Sequence, residues 1–202
     1  GIQKLEDRNL HKDENSRTEF LREAEAAVNQ LKNHPSICYW TIFNEAWGQF
    51  DSTAVYRRLK AMDSSRFIDT TSGWFRGSES DVESLHIYFG SFKKLKAGDK
   101  PLVLSECGGY CYPVEEHIFC PSKAYGYRMC KDLDKFRSDL ESLYRDTIVP
   151  AAQKGLCACI LTQISDVEEE INGLLTYDRK ICKADLQAMR HLAAELKNAV
   201  EE

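Results

Sequence analysis

The sequence has no apolar run that approaches the roughly 20 residues needed to cross a bilayer. It also lacks a basic stripe: the net charge is −5, with acidic and basic residues interspersed. We therefore expect neither a membrane nor a nucleic acid as a partner. The first 15 residues form a polar leader segment without the apolar centre of a signal peptide. A cytoplasmic location is the expectation, although such a start is also typical of the middle of a longer chain.

Paired C-x2-C units, which mark structural zinc sites, are absent as well. The eight cysteines are spaced irregularly, so we expect free thiols in a reducing compartment and no metal or other cofactor. Cys38, Cys157 and Cys159 lie in apolar runs, where cysteine usually acts as a small buried residue. A metal or redox centre in one loop region is a weaker alternative that would use His117 and four cysteines. These are Cys107, Cys111, Cys120 and Cys130.

Short apolar runs alternate with amphipathic stretches along the chain. An unbroken β-branched and aromatic run predicts a strand at 37–43, and further short apolar runs predict strands at 66–70, 84–88, 101–105 and 156–162. Helical periodicity predicts helices at 16–33, 52–62, 134–149 and 183–199. Ser16 and Glu19 form a capping-box pattern at the start of the first helix. The pattern predicts an α/β fold with about five parallel strands, and no linker or repeat divides residues 1–202 into more than one domain.

Two glutamates stand where parallel β/α folds collect their chemistry, at the carboxyl ends of strands. Glu45 and Glu106 each follow a predicted strand by one or two residues, and each precedes a glycine-bearing loop. Glycosidic cleavage needs two such carboxyl groups, one to protonate the leaving oxygen and one to attack the anomeric carbon or activate water. Ordinary solvated glutamates at strand ends are the alternative, since the chain has 32 acidic residues.

At this point the residues resemble a known family. The segment 33–37 (NHPSI), Trp40 and the run 43–45 (FNE) look like the acid/base signature of glycoside hydrolase family 2. This is the β-galactosidase, β-glucuronidase and β-mannosidase family. The segment 104–109 (LSECGG) is similar to its nucleophile strand, and the resemblance extends from about residue 14 to residue 196. It implies a retaining β-glycosidase in which Glu45 is the acid/base and Glu106 the nucleophile.

The resemblance also implies the surroundings of the two glutamates. Asn44 would bind the sugar 2-hydroxyl, and Tyr88 would lie beside the nucleophile. His86 shares a strand face with Tyr88 and is a further candidate for the site. Trp47 and Trp74 follow strand ends and are candidate platforms for a sugar ring. The long loop over residues 107–131 is a candidate pocket wall.

The chain departs from the family in several places. The last predicted strand should end near a tryptophan, and here Gln163 and Asp166 would have to supply polar sugar contacts instead. No Asn-x-Lys motif occurs, which disfavours a uronide substrate. By resemblance the chain would begin after the third barrel strand, so we expect a partial (β/α)8 TIM barrel whose N-terminal strands are missing. Such an open sheet predicts little activity for the isolated chain and self-association through its edge.

Two other readings of the sequence stay open. The first is a carbohydrate-binding or structural remnant that keeps the glutamates without turnover. The second is the cysteine-based metal or redox protein described above.

Overall fold

The computed structural model describes residues 11–45, 48–74, 79–89, 92 and 98–201. The chain divides into two compact units along its sequence. Unit 1 comprises Gly1–His86 and Asp99–Val103, and unit 2 comprises Ile87–Gly98 and Leu104–Glu202.

Unit 1 begins with helix α1, Glu14–Leu31, and continues with strand β1, Tyr39–Phe43. Helix α2, Ser52–Met62, and strand β2, Phe67–Thr71, follow it. Strands β1 and β2 pair in parallel, with Tyr39 opposite Phe67 and Phe43 opposite Thr71. One buried apolar cluster of this unit has six residues, which come from the two helices, the two strands and the segment between β1 and α2. They are Val28, Phe43, Phe50, Val55, Leu59 and Ile68.

The start of α1 differs from the prediction. The N-cap is Asp13, whose Oδ2 accepts a hydrogen bond from the Ser16 backbone N–H at 2.9 Å. The predicted capping box is wrong, because the Ser16 hydroxyl bonds to Asp13 and Glu19 pairs with Arg22. Asp13 lies three positions before Ser16, and this acidic N-cap accepts from the free backbone donors of the first turn as the predicted cap would have done. The prediction of α2 at 52–62 is confirmed.

Strand β1 is less buried than its apolar sequence predicts. Thr41 and the preceding Cys38 are exposed, and only Phe43 of the five strand residues is fully buried. Among the described residues β1 pairs only with β2, so one of its edges has no neighbouring strand. An unbroken apolar run of this kind is typical of a strand covered on both faces. The exposed side chains of β1 show that this strand is not covered in that way.

Strands β3, Glu83–Ile87, and β4, Leu102–Gly108, contain the boundaries between the units. Strand β4 lies between β3 and the later strand β7, Leu156–Thr162, in a three-stranded sheet. Two short strands, β5 at Tyr110–Cys111 and β6 at Arg128–Met129, pair in parallel within the long loop.

The helices of unit 2 follow the predicted positions closely. Helix α3, Leu133–Leu143, passes through a π-helical turn, Tyr144–Ile148, into α4, Val149–Ala152. Helix α5, Leu186–Glu201, closes the described chain. It begins three residues later than predicted, because Lys183 is a fully buried side chain that binds Asp166 and not part of the helix.

The α/β class is confirmed, with parallel pairing of β1 with β2 and of β5 with β6. The described strands form two two-stranded sheets and one three-stranded sheet, and none of these is a closed barrel. All eight cysteines are free. Cys38 and Cys157 are exposed, contrary to the expectation that cysteines in apolar runs are buried. In the described part of the chain, no helix has both the length and the apolar character to span a membrane.

Candidate active site

Glu45 lies two residues beyond β1 and is held by a histidine from β3. The His86 Nδ1 atom is 2.7 Å from Glu45 Oε2. The His86 side chain is only 1% exposed, whereas 24% of the Glu45 side chain is exposed. One buried ring therefore fixes a carboxyl group that still reaches the surface of unit 1, which is a suitable arrangement for exchanging a proton with a bound molecule.

The turn after β2 makes room for the His86 ring. Gly73 has φ +77°, and a Cβ at this position would lie 2.6 Å from the ring. Only glycine has no such atom and adopts this backbone conformation without strain. Beside it, the Ser72 hydroxyl lies 2.8 Å from His86 Nε2, so both ring nitrogens have a named partner.

Glu106 lies inside β4, whereas the sequence places it just beyond the strand. Its strand neighbours Ser105 and Cys107 are buried, and Glu106 itself is half-buried. The Tyr88 hydroxyl donates a hydrogen bond to Glu106 Oε2 at 2.6 Å. Burial and then the nearby carboxylate of Glu106 raise the pKa of Tyr88, so the phenol remains protonated and serves as a donor.

Tyr88 is itself held from two sides within unit 2. Thr162 Oγ1, at the end of β7, lies 3.0 Å from the phenol oxygen. Because the single phenol hydrogen points to Glu106, the Thr162 hydroxyl is the donor in this second contact. The ring of Tyr88 stacks on that of Tyr127, with centroids 3.8 Å apart. Gly109 (φ +65°) passes close to both rings, and a Cβ there would lie 2.8 Å from each.

Three predicted sugar-binding residues follow strand ends. Asn44 directly follows β1 and is exposed. Trp74 follows the turn after β2 and is 41% exposed. Trp47 lies outside the described residues. The roles of all three in sugar binding stay predictions.

Gln163 and Asp166 have protein partners in the structure. Gln163 Nε2 donates to Asn172 Oδ1 at 2.7 Å. Asp166 is buried, and its Oδ1 accepts hydrogen bonds from Gly173 N at 2.7 Å and from Lys183 Nζ at 2.8 Å. Lys183 Nζ also donates to the backbone oxygen of Ile171. Asp166 thus holds the segment after β7 together, and sugar contacts from Gln163 and Asp166 stay predictions.

The loop over residues 107–131 carries β5, β6 and several exposed aromatic side chains, including Phe119 and Tyr125. His117 Nδ1 is 2.8 Å from Asp178 Oδ2, and the Phe119 ring contacts that of Tyr177 at 4.9 Å. These two contacts attach the loop to the turn before α5. Its role as a pocket wall stays a prediction.

Four residues that hold the candidate site residues are not among those selected from the sequence. Asp69 lies within β2, Ser72 directly follows β2, Thr162 ends β7, and Tyr127 precedes β6. The strand-end rule that selected Glu45 applies equally to Ser72 and Thr162, and would have found them if hydroxyl groups had been considered beside carboxylates. Nothing in the local sequence marks Tyr127, because its stacking partner, Tyr88, is 39 positions away in the sequence.

A model of the family described as glycosyl hydrolases family 2, TIM barrel domain, matches residues 3–108. The match covers just over half of the 202 residues and includes Glu45, His86, Tyr88 and Glu106. No curated protein matches the chain. Since the match covers more than half of the chain, the chain belongs to family 2 of the glycosyl hydrolases, and residues 3–108 belong to its TIM barrel domain.

Proposed function

We propose that the chain is the catalytic region of a retaining β-glycosidase that hydrolyses O-glycosidic bonds through a covalent intermediate. Glu106 attacks the anomeric carbon and Glu45 protonates the leaving oxygen. Water, deprotonated by Glu45, then releases the sugar from Glu106. The reaction requires the two carboxyl groups to reach one sugar from opposite sides at a separation of about 5 Å.

The observation that carries the proposal is the hydrogen bond from Tyr88 to Glu106. A nucleophilic carboxylate has to point in one direction, and a short hydrogen bond from a protonated phenol fixes that direction. An ordinary solvated glutamate needs no half-buried tyrosine that is itself held by Thr162 and Tyr127. The different partner of Glu45, a histidine that can exchange a proton, suits the acid/base role.

The substrate is a neutral β-glycoside in this proposal. A galactoside, glucoside or mannoside fits, and a uronide is disfavoured because the chain has no Asn-x-Lys motif. Asn44 binds the sugar 2-hydroxyl, and Trp47 and Trp74 offer ring faces. We expect turnover by the 202-residue chain alone to be low, because the described sheets are open and a glycosidase site must exclude water and fix the sugar. Covalent labelling is therefore the more sensitive measurement.

The test uses 2,4-dinitrophenyl 2-deoxy-2-fluoro-β-glycosides of the three sugars, followed by peptide mapping. The label should be found on Glu106, and Glu106→Gln should abolish it. Glu45→Ala should keep this labelling, because the activated leaving group needs no acid. The same variant should lose roughly 10²–10⁴-fold in turnover of substrates with poor leaving groups. Azide should restore its turnover of activated substrates and yield a β-glycosyl azide.

Glu195→Gln is the matched control, because Glu195 is an exposed glutamate of α5, outside the candidate site and the loop over residues 107–131. It should behave like the unchanged protein. Label on a residue other than Glu106 would disprove the assignment. Reversible sugar binding without any label across the panel would favour the alternative, a carbohydrate-binding remnant without turnover.

A further inference from the structure

We propose that Asp69 and Ser72 are positioning residues that hold His86 in the tautomer with its proton on Nε2. Nδ1 then accepts a hydrogen bond from Glu45 when that carboxyl group carries the proton that it later gives to the leaving oxygen. This inference rests on the proposed acid/base role of Glu45. It assigns a task to two side chains that touch neither a sugar nor the reacting atoms.

The side chains form a continuous chain of hydrogen bonds inside unit 1. Asp69, which is 1% exposed, accepts a hydrogen bond from the Ser72 side chain. Ser72 Oγ lies 2.8 Å from His86 Nε2, and His86 Nδ1 lies 2.7 Å from Glu45 Oε2. A buried carboxylate is thus connected through one hydroxyl and one imidazole to the candidate acid.

Hydroxyl groups around Asp69 determine which groups donate and which accept in this series of hydrogen bonds. The Tyr39 phenol donates to Asp69 Oδ2 and the Ser84 hydroxyl donates to Oδ1, each at 2.9 Å. Ser84 Oγ also accepts a bond from Gly73 N, so its own hydrogen is available for Asp69. A carboxylate that receives bonds from Tyr39, Ser84 and Ser72 acts as an acceptor only. Burial raises the pKa of Asp69, and these three donors oppose that shift.

The direction of the hydrogen bond between Ser72 and Asp69 determines which nitrogen of His86 carries the proton. Ser72 has one hydroxyl hydrogen, and a bond to the Asp69 carboxylate uses it. Toward His86 the Ser72 oxygen can only accept, so Nε2 must carry a hydrogen. In the neutral ring the other nitrogen, Nδ1, is then an acceptor. A carboxyl group that faces this acceptor forms a hydrogen bond only when it brings its own proton. The arrangement therefore orients the carboxyl group of Glu45 through a hydrogen bond to Nδ1 while Glu45 acts as an acid.

The first measurement is ¹⁵N NMR of the imidazole nitrogens, which distinguishes the two tautomers directly. The chain has five histidines, and His86→Gln assigns the signal. His86 should show the Nε2–H pattern. In Asp69→Asn the side-chain amide can donate a hydrogen bond to Ser72. The Ser72 hydroxyl then donates to His86 Nε2, and the ring proton moves to Nδ1. We expect the ratio of the tautomers to change by about tenfold, the effect of one hydrogen bond. Ser72→Ala should also lower the Nε2–H fraction, and Ser72→Thr should restore it.

Ser65→Ala is the matched control. The Ser65 hydroxyl donates to a different aspartate, Asp63, at 2.6 Å, in the same unit. This variant should leave the His86 signal unchanged. An Nδ1–H or doubly protonated His86 in the unchanged protein would overturn the inference, as would a tautomer ratio that neither Ser72→Ala nor Asp69→Asn alters. Circular dichroism identifies a variant that fails to fold. Asp69→Asn and Ser72→Thr are nearly isosteric changes, so the His86 tautomer ratio can still be compared if Ser72→Ala does not fold.

The second measurement separates this inference from the proposed function. In Asp69→Asn, hydrolysis of an alkyl β-glycoside should fall at least tenfold more than hydrolysis of the 2,4-dinitrophenyl glycoside, which needs no acid. A purely structural role would lower both rates equally and overturn the inference. Suppose that Glu106 is labelled and that azide rescues Glu45→Ala, but that neither Asp69→Asn nor Ser72→Ala changes the tautomer ratio of His86. In that case only the inference fails. If Glu106 takes no label while the tautomer follows the predictions, the proposed function fails and the hydrogen-bond chain stands.

Discussion

Tyr88 and Tyr127 stack face to face, with ring centroids 3.8 Å apart and an angle of 4° between the ring planes. This contact orients the phenol that donates to Glu106. An aromatic pair contributes about 0.5–1.5 kcal/mol beyond its buried area. We therefore expect Tyr127→Leu to slow fluoroglycoside labelling of Glu106 by up to about tenfold, measured by intact-protein mass spectrometry. Tyr125→Leu removes an exposed ring two positions earlier and should change the rate little. Equal effects of the two substitutions would contradict a positioning role for the stack.

The buried pair of Lys183 and Asp166 should control the stability of unit 2. Both side chains are almost fully buried, and Lys183 Nζ is 2.8 Å from Asp166 Oδ1. Lys183→Met leaves an unpaired carboxylate inside the protein and should cost about 3–5 kcal/mol in the free energy of unfolding, measured with urea. The double variant Lys183→Met, Asp166→Asn should be more stable than Lys183→Met alone.

Lys180→Met provides the control for this prediction. Lys180 is in the same segment, but its side chain is 73% exposed and its ion pair with Asp178 is at the surface. Its loss should cost less than about 1 kcal/mol. A double variant that is less stable than Lys183→Met would show that the pair does not act as a unit.

Asp63 should make the folded state sensitive to acid. Burial alone would raise its pKa, but bonds from Ser65 and Trp40, together with Arg66, outweigh burial and lower the pKa to about 2. The unfolded value is about 3.9. A depressed folded pKa adds stability above the unfolded value, and this contribution is lost as the pH falls from about 4 through 2. Urea unfolding at pH 6 and pH 2.5 should therefore show that the free energy of unfolding falls less on acidification for Asp63→Asn than for the unchanged protein. Identical losses would count against this account.

The cysteines should react with thiol reagents according to their burial. Burial, followed by the nearby Cys159, raises the pKa of Cys107 to about 12, so its thiolate is scarce at neutral pH. Cys38 and Cys157 are exposed. Iodoacetamide at pH 8 should modify Cys38 and Cys157 first, as read by peptide mapping, and Cys107 only in denaturant. Rapid modification of Cys107 in the folded protein would contradict its buried position.

The free edge of β1 should exchange its amide hydrogens quickly. A groove of about 320 Å³ beside this strand is lined by apolar residues of α1 and β1, among them Phe20, Ala24, Trp40 and Ile42. If such a surface attracts a second copy of the chain, exchange in 39–43 should slow as the protein concentration rises. Strand β4, with partners on both sides, provides the internal reference. Strong protection of β1 in a dilute monomer would contradict the prediction.

The sequence predicted best what depends on local pattern. The bounds of α2 and β7 agree with the structure, because helical periodicity and a short apolar run need no information from elsewhere in the chain. Glu45 and Glu106 were selected by their place at strand ends, together with family resemblance.

The sequence did not predict what depends on which elements become neighbours. The exposure of Cys38 and Thr41 follows from the order of the strands, which the composition of β1 does not encode. The series of hydrogen bonds from Asp69 to Glu45 requires β2, β3 and the end of β1 to lie next to one another. A buried aspartate within a strand has no signal in the local sequence. The buried Lys183 was assigned to a helix for the same reason, since its partner lies 17 residues away.

One short stretch of the chain, β3 and the residue after it, supplies the partners of both glutamates. His86 holds Glu45, Tyr88 holds Glu106, and a single residue, Ile87, separates them in the sequence. The separation of these two partners along the backbone is therefore fixed by counting residues rather than by their chemistry. Ile87 can change its side chain, but one inserted or deleted residue here would turn one partner away from its glutamate. This stretch of the chain should therefore accept substitutions far more readily than changes in length.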